Sequence, residues 1–105
     1  MPVAYEATLE LIRALGPLLR RVAALDRDLA QQIRRAASSV ALNLSEGRGL
    51  SGPRQANHYR IAAGSAQEVG AGLDLIEAWG LAPVEANTKQ RLDRVRALLW
   101  GLTHR

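Results

Sequence analysis

A chain of 105 residues, 48% hydrophobic and 23% charged, is long enough for one domain with its own core and too short for two. It has no cysteine, which excludes disulfides, thiolate metal sites and cysteine nucleophiles together, and its formal net charge is +4. No apolar run approaches the roughly 20 residues that span a bilayer. Met1 to Glu6 has neither the basic start nor the apolar middle of a secretory signal, so a cytoplasmic protein with no membrane contact is expected.

The 18 alanines and 17 leucines outnumber the 13 valines, isoleucines and threonines combined. Ala and Leu lose little side-chain freedom in a helix and β-branched residues lose more, so the composition predicts an all-α protein. Four periodic segments follow. The first, over about 3–25, carries Leu11, Leu15, Leu18, Val22 and Leu25 at heptad spacing. Pro17, beside Gly16, predicts a kink or an early break there. The second, over about 28–46, carries Leu29, Ile33, Ala37, Val40 and Leu44, with Asp26 or Asp28 as its N-cap. Gly47, in a left-handed conformation, is expected to stop it.

A loop from Arg48 to Gly52 leads to Pro53, which suits the first turn of a third helix over about 53–79. Tyr59, Ala62, Ala66, Val69, Leu73 and Ile76 form its apolar seam. After the break Gly80-Leu81-Ala82-Pro83, a fourth helix over about 83–103 carries Leu92, Val95, Leu99 and Leu102. Breaks this short force neighbouring helices to run antiparallel. The expected architecture is a single-domain, up-down-up-down four-helix bundle over residues 1–105.

Residues that carry chemistry are sparse. His58 and His104 have no partner at ligand spacing, and no Glu-x-x-His pair of a bundle metal site occurs. Gly47-Arg48-Gly49 with Gly52 lacks the Lys-Ser or Lys-Thr of a phosphate-binding loop and reads as a helix stop and hairpin. No catalytic residue, metal ligand or cofactor is expected.

Gln32, Arg35, Ser39, Asn43 and Glu46 do make a polar stripe beside the apolar seam of the second helix. Ser65 and Glu68, with the small Gly64 and Gly72, face them from the third. Glu46 and Glu68 read either as an acid–base or metal pair, or as helix-tying polar groups.

Charge is uneven. Nine arginines stand against three acids between Arg13 and Arg60, whereas five basic and five acidic residues cancel from Ile61 onward. Arg20, Arg21, Arg27, Arg34, Arg35, Arg48 and Arg54 are candidate phosphate contacts. The other reading is an ordinary solvated face partly paired with Asp26 and Asp28. Adjacent arginines diverge around a helix, which argues against one sharp patch. Tyr59 is the aromatic nearest these arginines for stacking on a base.

The stretch from Gln32 to Gly47, QIRRAASSVALNLSEG, resembles the signature of the bacterial four-helix bundle proteins, or 23S ribosomal RNA intervening-sequence proteins. Ala63-Gly64-Ser65 with Glu68 resembles that family's second element. The structural motif then comprises Arg35, Ser39, Asn43, Glu46, Gly47, Gly64, Ser65 and Glu68. Ala41 stands where members usually have proline, which straightens the second helix, and the third helix is richer in small residues than in aromatics.

The resemblance implies an antiparallel bundle assembling into a homopentamer. A related branch of the family that the chain resembles, the accessory variability proteins of diversity-generating retroelements, forms basic pentamers that bind nucleic acid and a reverse transcriptase. The resulting expectation is a non-enzymatic, self-associating accessory or scaffold protein on RNA or DNA. The alternative is a protein-interaction module with no nucleic-acid role.

Overall fold

The computed structural model describes residues 2–105, which form four helices: α1 (Pro2–Ala23), α2 (Arg27–Arg48), α3 (Gly52–Ala78) and α4 (Ala86–Thr103). Each packs on the next and α4 returns to α1, so the four close into an antiparallel bundle 43 Å long and 23 by 19 Å across. Among the described residues no strand is present and no helix is long and apolar enough to cross a membrane.

The predicted seams are the core. Leu11, Leu15 and Val22 of α1, Ile33, Val40 and Leu44 of α2, Val69 and Ile76 of α3, and Val95 and Leu99 of α4 are all sealed from solvent. Burying a side chain of this size stabilises the fold by about 1.5–3 kcal/mol. Leu29, Tyr59 and Leu73 share the α2–α3 core with the alanines Ala30, Ala36, Ala37, Ala62 and Ala66, whose small side chains let these two backbones approach closely.

Four local expectations are corrected. The early break at Pro17 is not made: α1 continues past it as one helix, and Pro17 lies on the exposed side, where water can take the carbonyl that proline leaves unpaired. Leu25 falls beyond the helix end and is 68% exposed, so the α1 seam ends at Val22. α2 continues through Gly47 to Arg48, and Gly47 is a buried helical residue rather than a left-handed stop. α4 begins at Ala86, because Gly80 to Glu85 forms a connection whose Ala82 and Val84 plug the end of the core.

Asp26, not Asp28, caps α2: its side chain accepts from the Leu29 N–H at 3.0 Å. The left-handed stop occurs at the end of α3 instead. Gly80 has φ +66°, its N–H reaches Glu77 O at 3.0 Å, and the Leu81 N–H reaches Ile76 O at 3.0 Å. That pairing is the Schellman arrangement, which satisfies carbonyls the helix end would leave open.

Candidate functional site

The polar stripe of α2 becomes a hydrogen-bonded seam against α3. Ser39 Oγ and Ser65 Oγ lie 2.8 Å apart. The Asn43 amide donates to Ser39 O at 2.9 Å and to Ser39 Oγ at 3.2 Å. Both amide hydrogens are thereby used, so Asn43 Oδ1 accepts from His58 Nδ1 at 2.9 Å and that nitrogen carries the ring proton. The seam ties the two helices with side chains that are only partly buried.

The same register rejects the carboxylate pair. Ser39 lies opposite Ser65 and Asn43 opposite His58, so Glu46 sits near the start of α3 and Glu68 lies beyond Ser65. The two are about ten residues apart along α3, roughly 15 Å at 1.5 Å per residue. Both are exposed, and they share no site.

Of the two glycines expected at the close approach, only Gly72 is there: the Ile33 side chain occupies the space a Cβ would take. Gly64 has nothing within 4 Å of that position and faces outward. Gly47 belongs to the approach instead, packed against Tyr59, which is 4% exposed and so buried away from any base.

All seven candidate arginines are exposed. Among the described residues the ion pairs are Lys89–Glu77 at 2.9 Å and Arg91–Glu10 at 2.6 Å, and neither involves any of the seven. The partial pairing with Asp26 and Asp28 that belongs to the solvated-face reading is therefore not made among the described residues.

Four of the seven converge. Arg20, Arg27, Arg34 and Arg35 line one groove of about 1010 Å³ along α1 and α2, over an apolar floor that includes Ile12, Leu19 and Ala30. No acidic residue lines it. Arg34 and Arg35 both reach the groove although they are adjacent in sequence, since a long side chain spans the divergence around the helix. Arg21, Arg48 and Arg54 lie outside it. Arg48 instead sits 5.7 Å from the Tyr5 ring centroid, at the far end of α2.

One surface feature escaped the sequence reading. Trp100 and His104 are stacked, with centroids 4.1 Å apart and planes 11° from parallel. Both are exposed. Their spacing of one helical turn is the signal that could have found the pair.

The profile of the family described as 23S rRNA-intervening sequence protein matches residues 5–101. No curated protein matches the chain. Among solved structures, a protein of unknown function from the S23 ribosomal protein family of Bacteroides thetaiotaomicron VPI-5482 is similar in fold. Its TM-score is 0.82 at 19% identity, covering 95% of this chain and 97% of that one.

Proposed function

The chain belongs to the 23S rRNA-intervening sequence protein family, and on that premise we propose that it is a non-enzymatic, self-associating accessory protein that holds nucleic acid through its arginine groove. The observation that carries the proposal is the convergence of Arg20, Arg27, Arg34 and Arg35 on one groove without a carboxylate. Unpaired guanidinium groups at this density repel one another, and an anionic ligand relieves that repulsion. Arg offers phosphate a planar fork of donors, and release of condensed counterions supplies much of the affinity.

Self-association is supported by the outer face of α3. Ile61, Gly64, Glu68, Ala71 and Leu75 recur at helical spacing on one exposed side, with Ile61 at 43% and Leu75 at 45% exposure. A glycine here has no partner within the chain to explain it, whereas a neighbouring protomer packing on α3 would use the space. A homopentamer, as family resemblance implies, would repeat the groove five times and raise avidity for a long polyanion.

Binding of RNA and DNA oligomers across a salt series tests the proposal. Affinity should fall steeply as salt rises, and flat or absent binding would overturn it. The apolar floor of the groove favours one other reading, a protein partner docking an acidic amphipathic helix. Capture of such a helix, with no affinity for nucleic acid, would select it.

A further inference from the structure

We infer that Trp100 and His104 form a stacking platform for an unpaired nucleobase, a second contact point for single-stranded nucleic acid on the α3/α4 side of the bundle. The inference rests on the nucleic-acid reading above but uses none of its arginines.

The platform is ordered before any ligand arrives. Trp100 is 63% exposed, yet its ring is held parallel to the imidazole of His104, which is exposed as well. His104 Nδ1 donates to Trp100 O at 2.8 Å and lies 3.1 Å from Thr103 Oγ1, so hydrogen bonds set the imidazole plane. The Thr103 hydroxyl is itself anchored on Leu99 O at 3.0 Å. A soluble protein gains little from fixing two flat rings in water, whereas a base that stacks on fixed rings loses less entropy to order them. Trp79 supplies the contrast: it is 72% exposed, and no ring stacks on it among the described residues.

The charge around the platform suits a nucleotide. Arg96 lies one turn before Trp100 on α4, and its guanidinium donates to Gln67 Oε1 of α3 at 3.2 Å. Arg105 follows His104 directly, so a basic residue stands on either side of the ring pair along the chain. Arg96 and Arg105 are exposed. Flat rings flanked by guanidinium groups complement a base and its phosphates, which is the combination that sequence-tolerant single-strand binding uses. A duplex, with its bases already stacked, has no free face to offer.

Fluorescence tests this directly. In a Trp79→Phe background Trp100 is the sole tryptophan, and a ten-nucleotide single-stranded oligoadenylate should quench it more strongly than the matching duplex does. Trp100→Ala should weaken oligomer binding by about 5- to 150-fold, and Trp100→Phe should retain most of it. Because Trp100 is exposed, the melting temperature of both variants should match the parent.

Salt-sensitive oligomer binding with no quench and full affinity in Trp100→Ala would overturn the platform while leaving the arginine groove standing. Quenching by uncharged adenosine, with no salt-dependent oligomer affinity, would support the platform and overturn the groove. No response to any of these ligands would overturn both.

Discussion

The ring of Tyr59 fills the place that a side chain on Gly47 would occupy: an added Cβ would lie 2.7 Å from Tyr59 Cε1 and 3.2 Å from His58 Cβ. Gly47 thus leaves the space that the Tyr59 ring occupies between α2 and α3, in a helix that continues through it.

This makes the same substitution opposite in sign at two helical glycines. Gly47→Ala gains about 1 kcal/mol of helix propensity but forces a buried ring to move, and overpacking of that kind costs typically 1–3 kcal/mol. A net loss is expected, with a lower melting temperature. Gly64→Ala meets nothing within 4 Å and should stabilise the monomer by about 1 kcal/mol. Thermal unfolding of the two variants side by side checks both signs.

The two aspartates at the start of α2 should separate just as clearly. Asp26→Ala removes the acceptor of the Leu29 N–H and should cost about 1 kcal/mol. Asp28→Ala loses only a favourable charge near the helix N-terminus, worth about 0.3–1 kcal/mol and screened by salt. A denaturant titration repeated at high salt would show the first loss persisting and the second shrinking.

The polar seam predicts coupling across helices. Ser39→Ala and Ser65→Ala each break the 2.8 Å contact, so the double variant should cost less than the two single losses added. Asn43→Ala goes further, leaving His58 Nδ1 without its acceptor, and should cost about 1–3 kcal/mol. Additive losses in the cycle would mean that the hydroxyl contact contributes nothing.

For the groove, replacing Arg20, Arg27, Arg34 and Arg35 together by Ala should lower affinity for single-stranded nucleic acid and flatten its salt dependence. If all four contact phosphate, the slope of log affinity against log salt should fall by about 3. Arg54→Ala, outside the groove, should leave the slope close to that of the parent. An unchanged slope in the fourfold variant would relocate the binding surface.

Self-association has its own readout. Ile61→Arg with Leu75→Arg places two charges on the exposed α3 stripe without touching the core. Sedimentation should report a larger assembly for the parent and a smaller one for the variant, with helical content unchanged. A parent that sediments as a monomer at micromolar concentration would overturn the proposed assembly.

Much of this molecule is legible along the chain. Leu29, Ile33, Ala37, Val40 and Leu44 are all buried as their spacing predicts, and so is the whole α3 seam from Tyr59 to Ile76. Helical periodicity reports burial well because the helix itself fixes which residues share a face. Local punctuation was less legible. Pro17 does not break α1 and Gly47 does not end α2, since a proline at an exposed position is tolerated and a glycine serves close packing as readily as a turn.

The sequence by itself determined four helices, their seams and their order around the bundle, because each follows from local period and short connections. It also pointed to Ser39, Asn43 and Ser65 as partners. Only the tertiary structure decided which polar and charged groups meet. It separated Glu46 from Glu68, buried Tyr59, gathered four of the seven arginines into one groove and left Trp100 open beside His104. Those outcomes depend on the register between helices and on the reach of long side chains, and neither quantity is written in the spacing of residues along one helix.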